Sequence, residues 1–450
     1  MLKGLTINII LLVSVLGAQS ARVDMEKTSQ GFEGTVRTEL NVKPRGLLEI
    51  ESLTGDLILD GTDQNQFLCL ESFRVKTRNT GRAENIVAEH RAIIKKNNQG
   101  TTIQRNKHSR DYSSYYEIKI PRNYSVDAVC KSGDVTAINL IGNFEMKTLG
   151  GDAEISQLKG EINIQASGGD VNLDNCNGPI QIKVQGGDLD LEEIEGVVTV
   201  RNSGGSIDLE SMKGSGTIKN QGGNINLNTL EGGHLTVENS GGNITIGNSN
   251  MDIRASNSGS KIHINKANGD LDLNTLGGAI AVGALEGNLK SEAKGGDIKL
   301  GNISGSLNAT IKGGDLSVKS VHGNLEAENK GGDITVDKAY SNVSATSSGG
   351  DIQITKYNNK NSNLNNVNLT GKGGNLTCYL EKSISAQINA QIKMKRNRYN
   401  IISDFDLDIE KQRSFGRYIW QGKGTLKNGQ ALIELQTNEG DIVIKKVINK

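Results

Sequence analysis

From residue 131 onward, apolar and polar positions alternate at a period of two in short runs punctuated by glycine. A Gly-Gly pair marks the interval. It stands at Gly150-Gly151, Gly168-Gly169, Gly186-Gly187, Gly204-Gly205 and Gly222-Gly223, each 18 residues after the last. After one inserted residue it resumes at Gly241-Gly242, passes through Gly259-Ser260, and continues from Gly277-Gly278 to Gly349-Gly350 with the same step. Ser132-Gly133 is a degenerate earlier mark, and Gly373-Gly374 follows a six-residue insertion.

Counting one coil from the residue after the pair, positions 2 and 4 are apolar (Val171 and Leu173, Ile298 and Leu300), as is position 7 (Leu158, Ile194, Ile303). Position 9 is usually Gly, and positions 11 and 13 are apolar or small (Ile162 and Ile164, Leu307 and Ala309). Each half-coil is therefore one half-buried strand. Glycine stands where the backbone takes positive φ or where stacked turns approach closely. Strand, turn, strand, turn repeats, and identical coils stack so that each strand pairs in parallel with its equivalent in the next. The predicted fold class is all-β: a parallel β-solenoid of 18-residue, two-strand coils with β-rich caps. About thirteen coils at about 4.8 Å each give a rod on the order of 60 Å.

The period sets the expected organisation as residues 1–20 signal peptide, 21–130 linker and β-rich cap, 131–374 solenoid, and 375–450 C-terminal β cap. In the N-terminal cap, Leu47–Glu51 with Thr54–Leu59 reads as an irregular first coil or a strand pair. Ala83–Glu89 reads as a short helix, and Arg91–Lys96, Thr101–Arg105 and Tyr115–Ile120 as strands. At the other end, Ala431–Leu435 with Gly440–Ile444 reads as a last coil that closes the rod. Residues 356–370 are an Asn-rich insertion, more simply a tolerated loop than a functional one.

Composition fits thin repetitive β-layers: 56 Gly, 3 Pro and 4 % aromatic residues leave Ile, Leu, Val and Ala to build the core. With 51 basic and 51 acidic residues interspersed, no clustered basic face calls for nucleic acid. Lys3, the apolar stretch Leu5–Leu16 and Ala18-Gln19-Ser20 have the order of a secretory signal cleaved before Ala21. The stretch is short for a bilayer span, and no later segment is apolar enough to cross one. Export permits disulfides. Of the four cysteines, Cys69 and Cys130 are a candidate pair, whereas Cys176 takes a core position and Cys378 has no assigned role.

Three segments carry a resemblance. They are Gly46–Ile50 followed by Gly55–Gly61, then Tyr116–Arg122, then the G-G-D-I-x-L coil with the closing Thr437–Ile442. In that order, over residues 36–447, the chain resembles the bacterial "putative adhesin" family of exported β-strand-repeat proteins, which has no assigned biochemical function. The resemblance implies surface attachment and supplies no catalytic residues.

The sharpest candidate site is a row of aspartates at position 1. Asp134, Asp152, Asp170, Asp188, Asp297, Asp315, Asp333 and Asp351 would stack about 4.8 Å apart and repel unless neutralised. A Ca2+ ladder on Asp152, Asp170, Asp188, Asp297, Asp315, Asp333 and Asp351 would answer that. The plainer explanation is that each Asp caps its own turn by accepting backbone N–H bonds, because Ser206, Asn224, Asn243, Lys261 and Ala279 hold the same place. A row of Asn at position 15 (Asn202, Asn220, Asn239, Asn257, Asn329) either bonds along the stack or is ordinary turn Asn.

A carbohydrate-cleaving β-helix would need a unique acid–base cluster. Pairs such as Glu192 and Glu193 recur as repeat decoration instead. His90, His108, His234, His263 and His322 are scattered without metal spacing. Tyr112, Tyr115 and Tyr116 with Arg110 form either an aromatic patch or, for Tyr116 at least, core. Trp420 and Tyr418 cover the end of the stack. The expectation is a non-catalytic, cofactor-free exported protein: an adhesin-like binding rod recognising a surface glycan or protein, or a scaffolding spacer in the envelope, with a calcium-binding secreted repeat protein as the alternative.

Overall fold

A computed structural model describes residues 21–105, 109–359 and 365–448; the expected signal peptide, His108 and the centre of the Asn-rich insertion lie outside the described residues. The fold is a parallel β-solenoid of about 13 turns at the 18-residue spacing. It divides into an N-terminal unit ending at Ile218 and a C-terminal unit from Lys219.

In both units the apolar positions of the repeat point inward. Ile298, Leu300, Ile303, Leu307 and Ile311 of one coil are all buried, as are Leu173 and Leu209. Equivalent strands pair in parallel 18 residues apart, for example Val171 with Leu189 and Ile298 with Leu316. A one-residue slip would turn this whole set outward, so the apolar pattern fixes the register. Burying each large aliphatic contributes about 1.5–3 kcal/mol. Gly178 shows why the corner excludes side chains: its φ is +137°, and a Cβ there would meet the carbonyl oxygen of Gly160 at 2.0 Å.

The N-terminal unit begins with β1 (Ala21–Thr28), β2 (Gly31–Asn41), β3 (Leu47–Thr54), β4 (Asp56–Thr62) and β5 (Gln66–Val75). Helix α1 (Thr80–His90) follows, its first turn capped by Asn79 Oδ1, which accepts from Arg82 N at 2.9 Å. Then come β6 (Ala92–Lys96), β7 (Gly100–Arg105), β8 (Tyr112–Pro121), β9 (Ser125–Ser132) and β10 (Val135–Ile138). The segment read as a first coil or strand pair, β3 with β4, is a coil. It lies second, not first. On one side β3 and β4 pair in parallel with β9 and β10, and on the other with β7 and β8. The outermost layer is thus β7–β8, edged by antiparallel β6 and β5, with β2 and β1 beyond β5.

The C-terminal unit shows the same device. Ala431–Thr437 and Ile442–Lys446 do form a last coil in sequence, stacked on Val367–Gly371 and Leu376–Leu380. They do not close the stack. Ala386–Met394 and Ile401–Ser403 pair in parallel on their other side and make the outer layer. The antiparallel strands Arg417–Leu426 and Asp408–Ser414 complete the edge. That last strand is solvent-exposed and bears charges of both signs, which disfavours edge-to-edge growth.

Near the insertion, one core slot holds a cation. Lys356 takes the place held by Ile303, Val321 and Ala339 in successive earlier coils. It is fully buried, and its Nζ donates to Tyr357 O at 2.8 Å and Asn365 Oδ1 at 2.9 Å. Asn365 in turn bonds Asn358 and Asn359, fastening the ends of the loop to the core.

Candidate binding groove

The aspartate row forms a chain of hydrogen bonds between coils. Asp170 N donates to Asp152 Oδ1 at 2.8 Å, Asp188 N to Asp170 Oδ1 at 2.7 Å, Asp333 N to Asp315 Oδ1 at 2.9 Å, and Asp351 N to Asp333 Oδ1 at 2.7 Å. Each carboxylate therefore caps the turn of the next coil, not its own. A backbone N–H between neighbouring carboxylates offsets their repulsion. The row follows spatial order at the tucked ends: Asp134 N donates to Asp56 Oδ1, Asp441 N to Asn375 Oδ1 and Asn400 N to Asp441 Oδ1. Among the described residues, no group of three or more His, Cys, Asp or Glu is placed to hold a metal ion.

The asparagine row is buried and links coils through the Gly-Gly turns. Asn239 Nδ2 donates to Gly223 O at 3.0 Å and Gly242 O at 2.9 Å; Asn329 Nδ2 donates to Gly314 O at 2.8 Å. These are not side-chain-to-side-chain bonds, and they are not surface turn residues. Where the position is Thr275 or Ser347, the hydroxyl makes the same two kinds of bond, one donated and one accepted.

A second row, absent from the sequence reading, occupies position 10 of the C-terminal unit. Asp270 N donates to Asp252 Oδ1 at 2.7 Å, Asn288 N to Asp270 Oδ1 at 2.8 Å and Ser306 N to Asn288 Oδ1 at 2.9 Å. Its signal was legible, since Asx or Ser follows the position-9 glycines Gly269, Gly287 and Gly305. This row forms one wall of an open groove of about 790 Å3. The outward residues two places further on form its floor: Arg254, Asp272, Lys290, Asn308, Glu326 and Ser344, in register on adjacent strands. Arg254 meets Asp272 at 3.8 Å, and Asn308 Nδ2 donates to Glu326 Oε2 at 3.3 Å. The spacing is that of adjacent strands, about 4.8 Å. The groove thus presents a ruled series of donors and acceptors along its length.

Other candidates are dispersed. His234 lines one end of the groove. His90 is buried beside Tyr112, with ring centroids 6.0 Å apart. His322 stacks on Tyr340, and Tyr340 on Tyr357, at 4.5 and 5.5 Å. At His263, burial followed by the charge of Lys261 lowers the imidazole pKa. Tyr112 and Tyr116 are core residues whose hydroxyls donate to buried Glu71 at 2.7 and 3.2 Å. Cys69, Cys130, Cys176 and Cys378 are all buried and free, so the candidate Cys69–Cys130 bridge is not formed. Burial raises every thiol, to about 12 for Cys130 and Cys378 and about 11 for Cys176, which leaves them protonated and inert.

The family model of Toastrack DUF4097 matches residues 87–250 and 215–377, which together cover most of the coils. The chain belongs to this family. Toastrack DUF4097 is a family of unknown function, and the match agrees with the adhesin-type repeat resemblance. Among solved structures, a protein described as a putative adhesin from Bacteroides fragilis NCTC 9343 is 15 % identical, with 56 % of this chain and 96 % of that chain covered and a TM-score of 0.25. A likeness at that level bears on neither ligand nor activity. No curated protein matches the chain.

Proposed function

We propose that this Toastrack protein is a non-catalytic binding module of the cell envelope, and that its groove takes an extended polyhydroxylated ligand, a surface glycan. One observation carries the reading. Successive coils place a charged or polar side chain at the same two outward positions, in register, from Arg254 to Ser344. Such a series recognises a polymer by repeating weak contacts along its length. No thiol is available as a nucleophile, and the groove's polar groups serve hydrogen bonding. The signal-like order of residues 1–20 supports placement outside the cytoplasm, and no helix among the described residues is long and apolar enough to cross a membrane.

The test is a glycan array probed with the full chain, and with a variant carrying Asp272→Ala, Lys290→Ala, Asn308→Ala and Glu326→Ala. These side chains face outward, so the variant keeps its fold. The expected result is a defined set of bound glycans that the variant no longer binds. Equal binding by both proteins would remove the groove from the function, and binding to no glycan by either would remove the ligand class.

A further inference from the structure

The C-terminal unit carries a second surface, remote in sequence from the groove. Strand Ala386–Met394 lies antiparallel to Arg417–Leu426 with Met394 opposite Tyr418. Arg417–Leu426 also pairs with Asp408–Ser414, and Phe415 and Gly416 form the turn between them. The register therefore brings Lys395, Arg396 and Arg398, which follow Met394, beside the turn that bears Arg413, Phe415 and Arg417. All six of these side chains are exposed, and Phe415 is as open to solvent as a residue can be, at 104 %.

From Lys411 to Arg417 there are cations at Lys411, Arg413 and Arg417 and no carboxylate. One acid answers the neighbouring loop: Glu439 pairs with Arg398 at 3.1 Å. In a chain with 51 basic and 51 acidic residues, this is a local concentration of positive charge. Behind the tip, Arg413 lies over Tyr418 at 5.2 Å and Lys411 over Trp420 at 3.7 Å. Phe415 has φ +49°, a left-handed conformation that is unfavourable for a non-glycine residue. The turn thus holds its aromatic ring out in water at a conformational cost.

We propose that this tip docks on the surface of an anionic lipid bilayer. Phe415 enters the interfacial region, the arginines and lysines pair with headgroup phosphates, and half-buried Tyr418 stands at the interfacial level that suits such a ring, with buried Trp420 supporting Lys411 from behind. The order from the tip inward, apolar ring, cations, amphipathic rings, complements a bilayer with an anionic surface above an apolar layer. A soluble acidic polymer would engage the cations and leave Phe415 without a partner.

The experiment is vesicle flotation of the full chain with phosphatidylcholine alone and with phosphatidylcholine containing phosphatidylglycerol. Residues 1–20 are common to every protein compared, so the readout is the difference between lipid compositions and between variants that share that segment. Binding is expected to favour the anionic vesicles and to weaken with salt. Neutralising Arg396, Arg413 and Arg417 to Gln is expected to lower the anionic preference about fivefold per charge, on the order of a hundredfold together. Phe415→Ser should weaken vesicle binding while leaving binding to heparin unchanged. Neutralising Lys299, Lys312 and Lys330, exposed elsewhere on the same unit, should change neither. The proposal is overturned if the three neutralisations leave the anionic preference intact. It is equally overturned if Phe415→Ser floats like the parent while both bind heparin, which would make the tip a site for acidic polymers.

Discussion

Asn257 offers a direct measure of what the buried asparagine row contributes. Its side chain is 1 % exposed. Its Nδ2 donates to Gly242 O of the preceding coil at 2.9 Å and to Lys261 O at 3.2 Å, while Oδ1 accepts from Gly259 N at 3.2 Å and Ser260 N at 3.3 Å. Asn257→Leu keeps the branched heavy-atom skeleton and removes every one of these bonds. A net loss of about 1 kcal/mol per bond sets the upper end. The two accepted bonds are long and share one oxygen, so the expected destabilisation is about 2–4 kcal/mol. Asn257→Thr has a natural precedent at the same coil position, where Thr275 Oγ1 donates to Ser260 O and accepts from Gly278 N. Threonine should therefore recover about half of the loss. Because a solenoid's stability is a sum over neighbouring coils, one unfolding midpoint for the whole chain would blur the effect. Hydrogen exchange on peptides spanning residues 255–262 reads it locally. Faster exchange at Gly259 and Ser260 in the Leu variant, with intermediate rates in the Thr variant, is the expected pattern. Equal protection in all three proteins would refute the idea that these amides hold the turns.

The corner glycines differ from one another in a way that substitution will show. Gly178→Ala should cost more than about 3 kcal/mol or abolish soluble expression, since its Cβ would lie 2.0 Å from Gly160 O; Gly168→Ala, whose nearest neighbour is Leu149 O at 3.8 Å, should be neutral or slightly stabilising in thermal melts. In the aspartate row, Asp170→Asn retains the acceptor for Asp188 N and should change the melting temperature little, whereas Asp170→Ala should lose about 1 kcal/mol. Calcium should leave the melting temperatures of the parent and both variants unmoved, and a calcium-dependent rise in the parent that both variants lose would restore the cation ladder. Burial lowers the Lys356 amine from 10.5 to about 8. Between those values the unfolded chain binds one more proton than the folded one, so stability rises with pH above about 8, by about 1.4 kcal/mol per unit. The buried thiols act oppositely: above 9.0 the unfolded chain loses protons that folded Cys69, Cys130, Cys176 and Cys378 keep. Urea denaturation at stepped pH should therefore find a maximum between pH 8 and 9, because four thiols outweigh one amine once pH nears 9.0, and Lys356→Met should abolish the rise without touching the fall.

The period-two alternation and the Gly-Gly interval made the coil, its register and its core legible, because each coil needs only its neighbour to bury its apolar face. Leu173, Leu209 and Leu300 lie inside, as the pattern requires. The helix over Ala83–Glu89 and the three cap strands were equally readable from local periodicity and turn residues. Layer order at the ends was not. Leu47–Leu59 and Ala431–Ile444 look like coils in sequence, but nothing in a strand's own alternation says which strand it will lie against. The asparagine and position-10 rows needed three-dimensional register to turn repeated residues into bonds. Lys356 stood in a core slot only because its coil is one residue short in register after Val336. The basic tip went unread because it is split between Lys393–Tyr399 and Arg413–Arg417, two runs that only antiparallel pairing brings together.

The displaced order of layers at the C-terminal end bears on when the molecule can be finished. Ala386–Met394 and Ile401–Ser403 are synthesised before Ala431–Lys446, yet their parallel partners in the stack are those last strands. Coils upstream can assemble one upon another as they emerge. Ala386–Met394 can meet antiparallel Arg417–Leu426 first, but Ala431–Thr437 must then slide in between it and Val367–Gly371 before it is joined to the stack. A variant in which Ala431–Thr437 cannot form its strand loses an inner course of the masonry, and the layer made before it is left without a foundation.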